Sequence, residues 1–253
     1  MAIDKIRVFF LGSASIAVPS LEALLATDAV ELLGVGTQPD RKAGRGNRMT
    51  PTPVGKRAEE LELAPYKIDN VNDEAFLDTL RKLQIDFLLV IAFGQLLKEP
   101  LLNLPKISCI NVHASILPQY RGASPIASVL LAGEKETGVS IMKMAKGLDT
   151  GPVYEIHTLP IEDEDNASRL QDRLAVLAAE NIESSLTKIY DKRLLPVEQQ
   201  HDSSTHCGKI LKEDGRIQWQ ADATTVWNAY RGYSPWPGAF FFDSTNKKVV
   251  VDF

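Results

Sequence analysis

Strand-like and helix-like segments alternate along the sequence from residue 6 to about Tyr190, and this order constrains the fold more than any other feature. Short apolar runs predict buried strands at residues 6–11, 30–35, 85–92 and 107–113, and stretches with helical spacing lie between several of them. Nearly continuous apolar strands are typical of parallel sheets that helices cover on both faces. The sequence therefore predicts an α/β fold with a doubly wound, mostly parallel, Rossmann-like sheet.

The composition changes after Tyr190. Residues 191–208 are polar, and we expect them to be a linker between a domain at 1–190 and a smaller region at 209–253. Short strand and turn signals predict that this second region is a small β-rich module. Three tryptophans fall in it: Trp219, Trp227 and Trp236. We expect them to form its core, and the alternative is a stacking surface for RNA.

Composition and charge exclude several classes of protein. The hydrophobic fraction of 44% and the charged fraction of 24% exclude disorder and fibrous repeats. A net charge of -5 argues against nucleic-acid binding over the whole surface and leaves room only for a local basic patch. The cysteines, Cys109 and Cys207, are too few for a disulfide scaffold or a cysteine zinc site, so we predict no metal and a reducing compartment. The longest apolar run, at 87–93, is far shorter than a membrane span, and no secretory signal pattern is present. We expect a cytoplasmic protein without membrane contact.

Asn111 and His113 are the most informative polar residues. They are two positions apart on the apolar strand at 107–113, so both side chains lie on one face near its carboxyl end. Open α/β sheets bind their ligands at that edge. An asparagine amide can donate to a developing oxyanion and a histidine can move protons, which together suit attack of an amine on a carbonyl. The alternative is that both side chains cap backbone groups at a strand end.

A second candidate is Asp149, in the loop Lys146-Gly147-Leu148-Asp149-Thr150-Gly151-Pro152. The glycines on either side let the backbone approach a ligand closely, and the loop can direct a carboxylate into a site. The alternative is an aspartate that only holds its own turn. The Asp-Thr-Gly motif of aspartic proteases needs a second such loop in a β lobe, which the βα order disfavours.

A basic stretch follows Asp40. It contains no acid before Glu59 and six bases: Arg41, Lys42, Arg45, Arg48, Lys56 and Arg57. Gly44 and Gly46 flank Arg45, which predicts a mobile loop. Such a loop in an acidic protein indicates a site for phosphates, although charged loops are also common as merely solvated surface.

These motifs together resemble the formyltransferase family that uses 10-formyltetrahydrofolate. The resemblance is carried by Asn-Val-His-Ala-Ser-Ile-Leu-Pro at 111–118 and Gly-Leu-Asp-Thr-Gly at 147–151. The basic loop at 37–46, Tyr-Arg-Gly-Ala-Ser-Pro at 120–125 and Ser-Pro-Trp-Pro-Gly at 234–238 are similar to the branch that acts on methionyl-tRNA. The likeness extends over essentially the whole chain. In that family the C-terminal module completes a small tRNA-binding β-barrel, so residues 209–253 resemble a partial one.

The resemblance also implies roles for individual residues. The catalytic residues would be Asn111, His113 and Asp149, and a folate site would be lined by Ser115, Ile116, Leu117, Pro118, Phe93, Gly94 and Gln95. The acceptor end of initiator methionyl-tRNA would meet Arg45, with Arg41, Lys42 and Arg48 beside it. The co-substrate would be 10-formyltetrahydrofolate, without a metal, and we expect a monomer.

Two alternatives remain beside formyl transfer to methionyl-tRNA in translation initiation. The same folate site could serve a small amine such as glycinamide ribonucleotide or an amino-sugar nucleotide; the basic loop and the C-terminal module favour tRNA over it. A non-catalytic RNA-binding relative is the other alternative, and the complete set of Asn111, His113 and Asp149 argues against it.

Overall fold

The computed structural model describes residues 5–43 and 46–251. Its strands are β1 Ile6–Gly12, β2 Val30–Thr37, β3 Arg41–Ala43, β4 Arg48–Thr50, β5 Tyr66–Lys67, β6 Phe87–Ile91, β7 Ser108–His113, β8 Arg121–Gly122, β9 Glu136–Lys143, β10 Val153–Pro160, β11 His206–Cys207, β12 Phe240–Phe242 and β13 Lys248–Val250. Its α-helices are α1 Val18–Ala26, α2 Pro53–Glu60, α3 Glu74–Leu83, α4 Glu99–Leu102, α5 Pro125–Leu131, α6 Ala167–Tyr190 and α7 Ala223–Tyr233. Short 3-10 turns lie at Ser15–Ala17, His201–Ser203 and Lys212–Gly215.

A seven-stranded sheet forms the centre, in the order β10-β9-β7-β6-β1-β2-β5. The five strands from β7 to β5 are parallel, whereas β9 runs antiparallel to β7, and β10 runs antiparallel to β9. The chain first builds outward from β1 through β2 to β5 and then returns to the other side of β1 with β6. This reversal opens a crevice at the carboxyl ends of β1 and β6, where sheets of this kind bind ligands. The predicted mostly parallel α/β sheet is confirmed.

Helices cover both faces of this sheet because alternate residues of its strands point to opposite sides. On β1, Val8 and Phe10 pack in one apolar cluster with α1 and α6, whereas Phe9 and Leu11 pack in a second cluster with α3. The core of the protein is therefore two layers, and the strand ends between them hold the polar residues.

The segment 191–208 packs along the α/β region instead of crossing open solvent. Val197 forms a backbone bridge with Val153 at the start of β10, and β11 pairs in parallel with β8. These bonds fix the path of the chain between α6 and the C-terminal region.

The small C-terminal region contains α7, which packs on α5, and the hairpin of β12 and β13. Its core is formed by residues such as Phe240, which is buried, and not by the tryptophans. Trp219, Trp227 and Trp236 are 51%, 41% and 56% exposed, so the expectation that they form the core was wrong. The Trp219 ring lies edge-on against Phe241, and the Trp227 ring stacks on Tyr230, each with 5.5 Å between ring centroids.

No helix in the described ranges is both long and apolar enough to cross a membrane.

Candidate active site

Asn111 and His113 lie on the same face of β7, as their spacing predicts. Asn111 pairs in register with Val90 of β6 and Met142 of β9, and His113 lies opposite Ser140. His113 is only 6% exposed, whereas Asn111 is half-buried. Among the described residues, no side chain or backbone group forms a hydrogen bond with the Asn111 amide. That amide is therefore free to donate to a bound molecule.

The imidazole of His113 is oriented by two oxygen atoms. Its Nε2 lies 2.9 Å from the carbonyl oxygen of Tyr120. Because a carbonyl can only accept, Nε2 carries the hydrogen of this bond. The other ring nitrogen, Nδ1, lies 3.7 Å from Oδ2 of Asp149. This distance is too long for a direct hydrogen bond, and it leaves both atoms able to contact a third group.

Asp149 reaches this position from the loop between β9 and β10. Its backbone is in the left-handed region, with φ 52. The Oδ2 atom accepts a hydrogen bond of 2.9 Å from the backbone N–H of Gly122 in β8. The carboxylate side chain is 12% exposed. The side chain thus bonds to a distant part of the chain and not to its own turn, and the structure brings the three predicted catalytic residues together.

Sequence reasoning missed the role of Gly122. Its φ of +124 is unfavourable for other residues, and a Cβ at this position would lie 2.1 Å from the carbonyl oxygen of Cys207. This close approach lets β8 pair with β11 while the Gly122 N–H turns to Asp149. The glycine in Tyr-Arg-Gly was the only signal, and it did not identify its partner.

Phe93, Gly94 and Gln95 follow β6 at the crevice beside β1. The Phe93 side chain is buried, and its carbonyl accepts from Ser13 Oγ at 3.1 Å and Gln38 Nε2 at 2.8 Å. The Gln95 amide is bonded to backbone atoms, accepting from Val71 N at 2.8 Å and donating to Ile68 O at 2.9 Å. This segment is a wall of the crevice in which Gly94 is exposed, Gln95 is half-buried and Phe93 is buried.

Residues 115–118 turn back from the end of β7 toward the core. Ser115 is fully buried and donates to the Gln119 carbonyl at 2.7 Å, and Leu117 is buried with its N–H on Ser140 Oγ at 3.1 Å. Ile116 and Pro118 are half-buried. Within 115–118, only Ile116 and Pro118 keep side-chain surface available to a ligand.

The basic stretch folds into the hairpin of β3 and β4. Arg41 donates to Gln38 Oε1 at 2.8 Å, which ties the hairpin to the wall that carries Phe93. Lys42 and Arg48 are exposed, and among the described residues neither pairs with an acid. The predicted contact residue Arg45 lies outside the described residues.

The bases that follow the hairpin have acidic partners. Arg57 bonds to Glu22 at 2.6 Å and to Glu60 at 3.1 Å, and Lys56 lies 3.8 Å from Glu60. The hydrogen bonds that the Arg57 guanidinium donates to Glu22 and Glu60 raise its pKa. The unpaired positive charge of the described stretch is therefore confined to the hairpin.

A groove of about 410 Å³ begins at Ala123, beside Gly122, and extends along the start of α5. Its other walls come from α6 and the C-terminal region: Ala167, Gln171, Ile210 and Trp236. The groove therefore runs from the residue next to Gly122 to the C-terminal region. No cluster of His, Cys, Asp and Glu able to hold a metal occurs in the part of the chain that the structure describes.

Residues 4–186 match the family described as formyl transferase, and residues 209–251 match the formyl transferase C-terminal domain. The chain is 42% identical to methionyl-tRNA formyltransferase of Sorangium cellulosum, over 92% of this chain and 75% of that protein. It is 40% identical to methionyl-tRNA formyltransferase of Caldanaerobacter subterraneus, over 96% of this chain and 79% of that protein.

Solved structures show the same fold at low identity. A 4-N formyltransferase from Francisella tularensis superposes with a TM-score of 0.77 at 14% identity, covering 98% of this chain and 97% of that one. A sugar N-formyltransferase from Shewanella gives a TM-score of 0.75 at 16% identity, again over 98% and 97% of the two chains.

Proposed function

The chain belongs to the formyl transferase family, among the methionyl-tRNA formyltransferases, and we propose that Asn111, His113 and Asp149 carry the transfer. The formyl group of 10-formyltetrahydrofolate passes to the α-amino group of initiator methionyl-tRNA. The observation that carries this assignment is the convergence of a free amide, an imidazole and a carboxylate at one strand end, with 3.7 Å between His113 Nδ1 and Asp149 Oδ2.

The crevice suits a flat ring with polar edges. Ala92 and Gly94 are exposed at the end of β6, and Ile116 and Pro118 offer half-buried apolar surface. A pterin presents an apolar face and hydrogen-bonding edges, and these groups would hold it. When bound there, 10-formyltetrahydrofolate supplies the formyl carbon.

Asn111 acts on the formyl oxygen. As the amine nitrogen bonds to the formyl carbon, negative charge develops on that oxygen, and the amide N–H groups of Asn111 donate to it. A single donor of this kind contributes about 10²–10³ in rate. The amide needs no rearrangement because it has no partner among the described residues.

His113 and Asp149 carry out the proton transfer. The attacking amine must lose one proton, and the folate nitrogen must gain one when its bond to the formyl carbon breaks. The Nδ1 atom of His113 and the Asp149 carboxylate face the same space, so this pair can take the proton from one nitrogen and return it to the other. Placed acid–base groups contribute about 10²–10⁴ in rate.

Lys42 and Arg48 on the hairpin, together with Arg45, which lies between them in the sequence, would meet phosphates of the acceptor stem. The groove between α5 and the C-terminal region would lead the aminoacyl end toward Asn111. The exposed cations of the hairpin and the adjacency of the groove to Gly122 support this arrangement.

A transfer assay tests the proposed function. The enzyme is given 10-formyltetrahydrofolate with charged initiator methionyl-tRNA, glycinamide ribonucleotide and an amino-sugar nucleotide as competing acceptors. We expect formylated methionyl-tRNA as the dominant product. Product on a small amine alone would identify a small-molecule formyltransferase, and no product on any acceptor would indicate a binding protein.

A further inference from the structure

The side chain of Gln199 is almost completely buried although it lies in the polar segment 191–208. It is 8% exposed, whereas the neighbouring Gln200 is exposed. The position falls between the two matched regions, 4–186 and 209–251. A buried amide in such a segment requires partners for every polar atom, and Gln199 has them.

Four hydrogen bonds satisfy the amide. Its Nε2 donates to the carbonyl oxygen of Asp149 at 2.9 Å and to that of Gly151 at 2.6 Å. Its Oε1 accepts from Arg121 Nε at 3.1 Å and Nη2 at 2.6 Å. Gln199 therefore joins the loop that carries Asp149 to the strand that carries Gly122.

Arg121 completes this arrangement from the other side. The guanidinium is 3% exposed, and its Nη2 also lies 3.0 Å from His201 Nδ1. The next residue along β8, Gly122, donates its N–H to the Asp149 carboxylate. The backbone carbonyl of Asp149 accepts from Gln199 itself, and its carboxylate accepts from Gly122. Gly122 follows Arg121, which is bonded to Gln199, so the one glutamine side chain links both contacts.

The Asp149 loop needs such support. Asp149 has a positive φ of 52, which is costly for a residue with a side chain, and Gly147 and Gly151 add freedom on either side. Left alone, the loop would sample other conformations. Two hydrogen bonds to its carbonyl groups restrict it to the one that places the carboxylate beside His113.

We propose that Gln199 is a positioning residue for Asp149, and that docking of the segment 191–208 completes the active site. This inference rests on the proposed catalytic role of Asp149. A misplacement of about 1 Å in a reacting group can cost about 10² in rate, so loss of the two bonds should lower kcat.

Gln199→Glu is the test variant, with Gln200→Glu as the control of equal charge. Glutamate matches glutamine in size and still accepts from Arg121, but it cannot donate to the carbonyls of Asp149 and Gly151. We expect kcat to fall about 10- to 100-fold, with KM for both substrates within about twofold of the wild type. Equal activity of the two variants overturns the proposal.

Gln199→Asn separates positioning from packing. Asparagine keeps the NH2 and C=O of the amide but is shorter by one methylene and leaves a gap. Glutamate in Gln199→Glu fills the space but loses the NH2. We expect Gln199→Asn to retain more of kcat than Gln199→Glu. The reverse order would mean that Gln199 only fills space, and the proposal would fail.

Amide hydrogen exchange measured by NMR gives a readout that does not depend on activity. The Gly122 N–H bonds to Asp149, whereas the flanking Arg121 and Ala123 N–H groups bond to Thr205 and Cys207 across the pairing of β8 with β11. In Gln199→Glu we expect faster exchange at Gly122 with both flanking amides still protected. Faster exchange at all three would show that the segment has detached and would overturn the proposal; if Gln199→Glu does not fold, the same measurement on Gln199→Asn decides.

The two proposals can fail separately. If the wild type formylates none of the acceptors but the Gly122 amide responds as expected, the catalytic role fails and the positioning of Asp149 by Gln199 stands. If the wild type is active and both Gln199 variants match the Gln200→Glu control, only the positioning role fails.

Discussion

The Nδ1 atom of His113 lies 3.7 Å from Oδ2 of Asp149, although one residue ends β7 and the other lies in the loop between β9 and β10. The ring is anchored on its other side by Tyr120, and the carboxylate is anchored by Gly122. Each partner is held by backbone groups, so the pair is organised before substrate arrives. Pre-organisation of this kind is what lets fixed polar groups lower a barrier without rearranging.

Removal of the Asn111 amide tests the oxyanion role. We expect Asn111→Ala to lower kcat by about 10²–10³ without loss of folding. Asn111→Asp, which replaces the donor by an acceptor at equal size, should be no more active. The measurement is formylation of charged initiator tRNA, with thermal unfolding beside it. Near-normal turnover of either variant would remove Asn111 from the mechanism.

Asp149→Asn tests the charge of the carboxylate. The amide oxygen can still accept from Gly122, so the fold should persist while kcat falls by about 10²–10⁴. The exposed Asp163→Asn is the control for a lost acidic charge. Because we propose that His113 and Asp149 act together, adding Asp149→Asn to His113→Ala should cause only a small further loss of kcat. Full additivity of the two effects would show that they act independently.

Arg45→Ala tests the basic stretch that follows Asp40. We expect a higher KM for tRNA, an unchanged KM for formyl-folate and a salt dependence of tRNA use that is less steep by about 0.7–0.9 in log–log slope. Lys82→Ala, at an exposed lysine of α3, removes the same charge elsewhere. Equal weakening of folate and tRNA use would point to a disturbed fold instead of a lost phosphate contact.

Gly122→Ala tests the close approach of β8 and β11. The added Cβ would lie 2.1 Å from the Cys207 carbonyl at a φ of +124, so the pairing must open. We expect the free energy of unfolding to fall by at least about 1–3 kcal/mol, measured by urea denaturation. Gly208→Ala, where a Cβ meets nothing within 4 Å, should have little effect. A Gly122→Ala variant as stable as the Gly208→Ala control would contradict the described pairing.

Lys188→Met tests the ion-paired glutamate of β10. Burial by itself would raise the pKa of Glu155, but hydrogen bonds from Ser185 and Lys188 and the nearby His157 outweigh it, and the pKa is lowered. A carboxyl with a lowered pKa stabilises the fold above the unfolded value of about 4.3 and loses that effect as the pH falls through the folded value.

The stability lost in Lys188→Met should therefore be largest near neutral pH and shrink below about pH 4. Urea denaturation at several pH values measures it, with the exposed Lys106→Met as control. A deficit that is independent of pH would mean that Lys188 contributes by packing and not by charge.

Local sequence pattern was sufficient to predict the sheet and two of the proposed catalytic residues. The apolar runs of β1, β6 and β7 identify buried strands because burial repeats along the chain with a fixed period. The same period of two places Asn111 and His113 on one face. The basic stretch is visible as a run of like charge, although the sequence predicted a loop there and not the pairing of β3 with β4. None of these inferences requires knowledge of which segments meet.

The exposure of the tryptophans was not predictable in this way. A tryptophan is apolar enough for a core, so its sequence context favours burial. Whether Trp219 is covered depends on what packs against the hairpin of β12 and β13, and that is a property of the folded surface.

The sequence by itself determined a layered α/β protein with an amide and an imidazole at one strand end, because these follow from short-range periodicity. Only the tertiary structure decided that Asp149 meets them through a backbone N–H of Gly122, and that Gln199 from the segment 191–208 holds the Asp149 loop. Backbone donors and acceptors are the same in every residue and leave no trace in the sequence. Contacts between segments distant along the chain appear only when folding has brought them together.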